Sequence, residues 1–252
     1  MKKIVSIINH KGGVGKTTSA VNIGAGLHRL GKKVLLIDLD PQANLTINYG
    51  IDPQEQRQTV YDALCGRCSL PILTIGEQAP DIVPSSLDLS IAEMELNNEP
   101  GRESILRRLI EKIQFHYEFI LIDCPPSLGL LTLNALSASQ AAVVPVELST
   151  FSMVGMIKLL EVISKVKDRI NPELDSYTIL ITRTDKRQTV HRDLSVYLRE
   201  KYAARIFDTE IRSNVKILES QLKRADIFTF DRRSNAAVDY LNAAREFIKI
   251  YS

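Results

Sequence analysis

The chain has 252 residues, 44% of them hydrophobic, so it can bury one sizeable core or two small ones. Its 32 Lys and Arg against 30 Asp and Glu leave a formal net charge of +2, which excludes attraction to nucleic acid or membrane through overall charge. No apolar run reaches the roughly 18 residues of a membrane-spanning helix, and no signal peptide precedes the first apolar run. We therefore expect one domain over residues 1–252, located in the cytoplasm and not bound to a membrane.

Apolar runs alternate with helical patterns along the whole chain. We predict strands at residues 4–8, 34–37, 81–83, 119–122, 142–146, 178–181 and, more weakly, 206–211. Apolar residues recur at helical spacing at Ala20, Ile23, Leu27 and Leu30, at Ile105, Leu106, Leu109, Ile110 and Ile113, and at Ala237, Val238, Leu241 and Ala244. Continuous apolar runs are typical of strands buried on both faces. The sequence thus predicts an α/β fold, a doubly wound and mostly parallel sheet with helices on both faces.

The unusual polar residues of the chain follow predicted strands. A glycine-rich loop follows the first strand, Asp38 and Asp40 follow the second, and Asp123 follows the fourth. Sheets of this class bind their ligands beyond the carboxyl ends of the strands. We therefore expect these three segments to meet at one edge of the sheet.

The glycine-rich loop reads K-G-G-V-G-K-T-T over residues 11–18. It fails the strict phosphate-loop pattern G-x-x-x-x-G-K-[ST], because His10 occupies the place of the first glycine. Its glycines let backbone N–H groups converge on an anion, and a helix predicted to begin near Lys16 points its positive end there. Lys16 would neutralise the outer phosphates, and the Thr17 hydroxyl is the expected Mg²⁺ ligand. The predicted nucleotide-binding residues here are Gly12, Gly13, Val14, Gly15, Lys16, Thr17 and Thr18.

Three aspartates complete the predicted site. A nucleotide-bound Mg²⁺ needs a carboxylate at the end of a neighbouring strand, and Asp123 stands after four apolar residues as a Walker B aspartate does. Asp38 and Asp40 would share a face if their strand continued, because side chains alternate along a strand. One of these two could orient the water that attacks the γ-phosphate.

Three cysteines are an odd number for a chain expected in a reducing compartment. Cys65 and Cys68 have the spacing of half a zinc site or of a redox pair, but no second pair completes a site. We expect two loop thiols there and a buried thiol at Cys124.

Three loops together resemble the deviant Walker A ATPases of the ParA/Soj/MinD group. They are K-G-G-V-G-K-T-T, D-L-D-P-Q from residue 38, and D-C-P-P-S-L-G from residue 123. The segments IVPSSLDLSIAEMEL, LLTLNALSAS, FDTEIRSNVKILES and FDRRSNAAVDYLNAAREF each resemble the small ParA (Soj-like) branch, so the likeness runs nearly end to end. The resemblance implies a P-loop ATPase fold, ATP and Mg²⁺ as cofactors, and a weak ATPase activity that serves DNA partition.

The resemblance also implies roles for single residues. Lys11 would reach across a dimer interface to the phosphates of the nucleotide bound by the other subunit, which gives a second lysine a reason to exist. Asp40 would position the attacking water, and Asp38 would support the site from behind. Asn214 would lie near the adenine, although Arg212 stands where the family often has proline. By the same carry-over Lys16, Asp123 and Thr17 keep their phosphate and metal roles.

A basic segment is where the resemblance implies DNA binding. Residues 183–233 contain thirteen Lys or Arg against eight Asp or Glu, a net +5 that leaves about −3 for the remaining chain. Arg187 and Lys216 match the positions with which small ParA proteins bind double-stranded DNA without reading its sequence. Weaker candidates are Lys186, Lys223, Arg224, Arg232 and Arg233. The implied partners are a second copy of the chain and a ParB/Spo0J-like centromere-binding protein that stimulates hydrolysis, with the ATPase associated with the nucleoid and a chromosome or plasmid as cargo.

Two alternatives share parts of this pattern. A MinD-like ATPase of the membrane at the cell-division site would need a basic amphipathic extension at the C-terminus, and the chain ends a few residues past its last predicted helix. An iron–sulfur carrier would need cysteines that bridge a dimer, and Cys124 has no second matching ligand. Since the glycine-rich loop begins near the N-terminus, we also expect no N-terminal helix-turn-helix domain of the kind that larger ParA proteins carry.

Overall fold

A computed structural model describes residues 3–185 and 187–252, apart from the side chains of residues 150–154. The strands are β1 (Lys3–Ile7), β2 (Val34–Asp38), β3 (Asp81–Val83), β4 (Phe119–Asp123), β5 (Ala141–Glu147) and β6 (Ser176–Thr182). The helices are α1 (Lys16–Arg29), α2 (Asn44–Asn48), α3 (Val60–Leu64), α4 (Leu89–Glu95), α5 (Ile105–Glu111), α6 (Leu130–Ala138), α7 (Thr150–Arg169), α8 (Thr189–Tyr202), α9 (Val215–Leu222), α10 (Ile227–Asp231) and α11 (Asn235–Tyr251).

The six strands form one sheet in the order β3-β2-β4-β1-β5-β6, and each neighbouring pair is parallel. Parallel neighbours require crossover connections, which the helices supply. The predicted doubly wound parallel sheet is therefore confirmed. The register pairs Ile7 of β1 with Asp123 of β4, and Asp38 of β2 with the same Asp123. The glycine-rich loop and two aspartates thus leave the sheet at one level of one edge.

Two hydrophobic clusters cover the two faces of the sheet. Adjacent residues of β1 face opposite clusters: Ile4 packs on the side of α6 and α7, and Val5 on the side of α1 and α11. Burial of each such side chain contributes roughly 1.5–3 kcal/mol. Helix α1 lies so close to β2 that a Cβ on Gly24 would come 2.6 Å from Leu36 Cδ2. This close packing fixes the direction in which α1 begins at Lys16.

The weak seventh strand predicted at 206–211 is wrong. This segment runs beside β6 and makes an isolated parallel bridge at Ile206. The backbone N–H groups of Asp208 and Thr209 donate to the carboxylate of Glu246 on α11. Because amides bonded to a side chain cannot extend a ladder, the segment stays irregular.

One residue of the predicted helical stripes also faces the wrong way. Val238 is 47% exposed, and the buried face of α11 runs through Ala237, Tyr240, Ala244 and Phe247 instead. Two aromatic residues thus form much of this face. A stripe read from aliphatic residues alone misses them.

The cysteines behave as structural thiols. Cys124 is fully buried, as expected. Cys65 follows the last residue of α3, and its thiol donates to Glu95 at 3.1 Å. Burial raises the pKa of Cys65 to about 12, which keeps the thiol protonated. Among the described residues no group of three or more His, Cys, Asp or Glu is arranged to hold a metal ion.

Candidate functional site

A cleft of about 660 Å³ opens beyond the carboxyl ends of the strands. Of the predicted site residues, it is lined by Gly12, Gly13, Gly15, Lys16, Thr17, Thr18, Asp40 and Asn214. Further lining residues include Asn44, Ile47, Thr182, Arg183, Arg212, Ile217, Gln221 and Tyr240. The structure therefore brings the glycine-rich loop, one strand-end aspartate and the 211–221 segment around one space.

The glycine-rich loop has the backbone of an anion cradle. Gly13 and Gly15 have φ values of 76° and 89°, in the left-handed region that side chains disfavour. Helix α1 starts directly after Gly15, so its unpaired N–H groups and positive dipole end point at the loop. Lys16 is 6% exposed, and its ammonium donates to the carbonyl of Lys11 at 3.1 Å. Burial lowers the pKa of Lys16, because the charged form lacks a full solvation shell.

Asp123 lies below the loop as a buried carboxylate without a partner. Neither of its oxygens has a hydrogen bond of acceptable geometry to a described residue. Burial and then the nearby charge of Asp38 raise its pKa well above the usual range, while the Thr17 side chain acts in the opposite direction. An orphaned buried carboxylate of this kind fits a divalent cation. Mg²⁺ in particular uses one or two protein oxygens beside phosphates and water, so a single carboxylate and the Thr17 hydroxyl suit it.

Asp38 and Asp40 occupy different environments. Asp38 is fully buried and accepts from the Thr46 backbone N–H at 2.9 Å, from the Thr46 hydroxyl at 2.7 Å and from the Asp40 N–H at 3.2 Å. Asp40 lines the cleft, and one of its oxygens accepts from the Gln42 N–H at 3.0 Å. Ser85 holds the Asp40 carbonyl at 2.8 Å. Asp38 is therefore committed to the scaffold, whereas Asp40 presents a carboxylate to the cleft.

Lys11 is absent from the cleft lining. Its ammonium lies 3.7 Å from the Glu147 carboxylate at the end of β5, and its side chain is 36% exposed. Its backbone N–H donates to Asn9 Oδ1 at 3.0 Å, and Asn9 in turn donates to the Pro145 carbonyl at 2.7 Å. The buried Asn9 thus ties the start of the loop to β5. No local sequence pattern indicates this role of Asn9, because its partner lies 136 residues away.

The 211–221 segment of the cleft lining is held by polar pairs. The Asn214 side chain accepts from the Lys216 N–H at 2.9 Å and so caps α9. The Arg212 guanidinium makes a two-pronged bond to Asp239, with Nη2 2.7 Å from Oδ1 and Nε 2.9 Å from Oδ2. Gln221 donates to the Thr18 hydroxyl at 2.9 Å. The sequence shows Arg212 at a position where the resembled family often has proline. It does not indicate Asp239 or Gln221, because their partners lie far away along the chain.

Two residues at the end of β6 line the cleft and bond to carbonyl groups of the phosphate loop. The Thr182 hydroxyl donates to the Val14 carbonyl at 2.8 Å, and Arg183 Nη1 donates to the Gly13 carbonyl at 3.0 Å. Sequence analysis missed both residues, since nothing in the local pattern of β6 distinguishes them.

The two predicted DNA-binding residues lie outside the cleft lining, Arg187 on the loop that follows β6 and Lys216 in the first turn of α9. The Thr184 N–H donates to the Ile211 carbonyl and the Ser213 N–H to the Thr184 carbonyl, so the start of the Arg187 loop runs beside the segment that leads into α9. Both cations pair with adjacent acids: Arg187 lies 2.8 Å from Asp185, and Lys216 lies 2.7 Å from Glu219. The weaker candidates Lys223, Arg224, Arg232 and Arg233 are exposed, and Lys186 lies outside the described residues.

Exposed ion pairs of this kind hold their charges weakly, because water screens them. Phosphates can therefore compete for both cations.

Among the described residues, every helix is too short or too polar to span a membrane.

The chain is similar to known proteins over most of its length. Residues 2–176 match a family model described as an AAA domain. The sporulation initiation inhibitor protein Soj of Bacillus subtilis is 38% identical over 248 residues, 98% of either chain. The chromosome partitioning protein ParA of Caulobacter vibrioides is 35% identical over 250 residues, which cover 98% of this chain and 94% of that protein.

A solved structure that contains bound nucleotide and magnesium shares the fold. The crystal structure described as cobyrinic acid a,c-diamide synthase from Mycobacterium smegmatis, with bound ADP and magnesium, superposes with a TM-score of 0.86. It is 32% identical, and the match covers 99% of this chain and 95% of that one.

Proposed function

Because the chain belongs to the AAA-domain family and, within it, to the ParA/Soj group of partition ATPases, we propose that it is an ATP-dependent DNA segregation ATPase. In this proposal residues 1–252 form one ATPase domain. It hydrolyses ATP to ADP and phosphate weakly when alone. An ATP-bound dimer binds DNA without sequence preference, and a ParB-like partner stimulates hydrolysis and release.

ATP and Mg²⁺ are the cofactors, and the cleft suits both. The left-handed turns at Gly13 and Gly15 and the start of α1 direct N–H groups at a phosphate chain. Lys16 neutralises the outer phosphates. Thr17 and Asp123 would hold the metal through their side-chain oxygens, and when bound the metal would offset negative charge on the outer phosphates. Asn214 lines the cleft, and in this proposal it contacts the base.

Asp40 is the residue that orients the attacking water. It is the strand-end carboxylate that faces the cleft, and its position is fixed through the Gln42 N–H and Ser85. Asp38 cannot take this role without giving up its three donors. Lys16, and Lys11 of a second copy, stabilise the charge that develops on the transferred phosphoryl group.

The observation that carries the dimer proposal is the place of Lys11. One lysine of the loop lines the cleft and the other lies at its exposed rim beside Glu147. A lysine outside its own cleft can serve a nucleotide bound by another copy. Hydrolysis then requires two chains, so ATP links dimerisation to catalysis.

DNA binding requires a dimer in this proposal, because a dimer doubles the number of exposed cations. A monomer presents Arg187 and Lys216 with a few further cations, which is too few phosphate contacts at physiological salt. A dimer doubles them and lets both halves engage one duplex. ATP therefore switches DNA binding on, and hydrolysis stimulated by the partner switches it off. This cycle moves a chromosome or plasmid that carries the partner protein.

The test is binding to random-sequence duplexes at several salt concentrations with ATP, with ADP and without nucleotide. We expect tight binding with ATP alone, a steep fall of log affinity with log salt, and no response to sequence. Equal affinity in all three states would contradict the switch. A clear preference for one sequence would contradict non-specific binding.

A further inference from the structure

We infer that Arg183 is a positioning residue that couples the nucleotide state to the DNA-binding loop, an inference that rests on the proposed function. The residue connects two parts of the molecule. Its side chain reaches the phosphate loop, and its backbone begins the loop that carries Arg187. Nothing in the ATPase cycle described above requires it.

The contact with the phosphate loop is a pair of consecutive bonds. Thr182 holds the Val14 carbonyl at 2.8 Å and Arg183 holds the Gly13 carbonyl at 3.0 Å. In a phosphate loop the N–H groups must point at the anion, so the carbonyls point away from it. Two donors placed behind these carbonyls favour the loop conformation that binds phosphate.

Arg183 makes this contact from a strained backbone. Its φ of 54° lies in the left-handed region, which residues with a Cβ seldom adopt outside sites that depend on it. Thr184 fixes the strained turn, because its N–H donates to the Ile211 carbonyl and its own carbonyl accepts from the Ser213 N–H. A shift of the phosphate loop at Gly13 therefore reaches both the loop that carries Arg187 and the segment that leads into α9, where Lys216 lies.

The DNA-binding loop responds to the same turn. Asp185 follows the strained turn, and its carboxylate lies 2.8 Å from the Arg187 guanidinium. Its backbone N–H donates to Nδ1 of the His191 ring at 3.1 Å. Asp185 thus decides whether Arg187 is bound to protein or available to phosphate. When nucleotide fixes Gly13, Arg183 holds the turn in place. When the loop relaxes, the Arg183 bond is lost and the turn can move.

Coupling of this kind is reciprocal, so it has two measures that must agree. One is the ratio of DNA affinities with a non-hydrolysable ATP analogue and with ADP, read from anisotropy of a labelled 30-base-pair random duplex. The other is the factor by which that DNA changes the ratio of the affinities for the analogue and for ADP. For the wild type we expect a ratio of about tenfold or more, within the usual range of allosteric coupling.

Arg183→Ala should bring both ratios below about threefold, even where it also weakens nucleotide binding. Arg183→Lys keeps a donor and should restore part of the ratio. Thr182→Val removes the neighbouring bond without loss of volume and should lower the ratio by a smaller factor. Arg192→Ala is the matched control, because this exposed arginine near the start of α8 contacts Thr189 at 3.1 Å and not the phosphate loop. It should leave the ratio unchanged.

Three results separate the possibilities. A wild-type ratio of one would refute the proposed switch and the inference together. A wild-type ratio above five with an unchanged ratio in folded Arg183→Ala would overturn the inference alone. An equal loss of DNA affinity in both nucleotide states would make Arg183 a simple DNA contact. If Arg183→Ala does not fold, an unchanged ratio in both Arg183→Lys and Thr182→Val overturns the inference.

Discussion

The phosphate end of the cleft and the basic segment 183–233 place their charges in opposite ways. At the phosphate end Lys16, Asp38 and Asp123 are buried: Lys16 donates to one carbonyl, Asp38 accepts from three donors, and the Asp123 oxygens have no hydrogen-bond partner among the described residues. In the basic segment Arg187 is exposed and Lys216 is half-exposed, and each pairs with the nearest acid along the chain. A buried charge strongly constrains what can bind beside it, whereas an exposed one can change partners at little cost. The first region therefore specifies chemistry, and the second provides only attraction.

The largest expected effect tests the orphaned carboxylate. Asp123→Asn should lower Mg²⁺-dependent ATP hydrolysis by about 10²-fold or more, because the metal loses its protein carboxylate. The melting temperature without nucleotide should stay level or rise, since a buried charge without a partner opposes folding. Thermal shift with and without Mg²⁺ and ATP measures both. A variant that keeps the wild-type shift on addition of Mg²⁺ and ATP would place the metal elsewhere.

The two aspartates of the second strand end should separate into function and scaffold. Asp40→Ala should bind ATP and Mg²⁺, lose about 10²-fold in turnover and accumulate as a dimer on DNA. Asp38→Asn should cost about 1–3 kcal/mol of unfolding free energy, because a buried acceptor with three donors is altered. Single-turnover hydrolysis and urea unfolding make the measurement. If Asp40→Ala keeps the wild-type turnover, another group orients the attacking water.

The two lysines of the loop should differ in the step that they affect. Lys16→Ala should weaken binding of a fluorescent ATP analogue by at least about tenfold, since it removes the buried cation of the cleft. Lys11→Ala should bind the analogue within about threefold of wild type and form no ATP-dependent dimer, as read by size exclusion with light scattering. Normal ATP-dependent dimers of Lys11→Ala would contradict the proposal that Lys11 contacts the nucleotide of a second copy.

The smallest effects belong to the exposed region. Arg187→Ala or Lys216→Ala should flatten the dependence of log DNA affinity on log salt by roughly one or two units, because each dimer carries the residue twice. Melting temperature and ATPase activity without DNA should not change, since both side chains lie outside the cleft lining. Arg245→Ala on α11 is a matched control with an exposed arginine outside the basic segment, and it should leave the slope unchanged. An unchanged slope in both test variants would locate the DNA surface elsewhere.

The sequence alone determined the parts of this protein that depend on neighbours along the chain. Apolar runs predicted all six strands of the sheet, because a strand buried on both faces must be continuously apolar. The rule that parallel sheets bind ligands at their carboxyl ends then placed the glycine-rich loop, Asp40 and Asp123 together. The strand predicted from the weak run at 206–211 does not form, because the amides of Asp208 and Thr209 bond to Glu246, a residue that no local pattern connects to this run.

Tertiary structure alone decided which polar groups meet. Arg183 contacts Gly13 across 170 residues of chain, and Gln221 contacts Thr18 across 203. It also set Lys11 beside Glu147 and gave Asp38, rather than Asp40, the Thr46 donors. Secondary structure is encoded by short-range periodicity, but a hydrogen bond depends on a few tenths of an ångström between atoms that only the packed sheet brings together. The residue types of the candidate site could therefore be predicted from the sequence, whereas the long-range contacts that hold them in place could not.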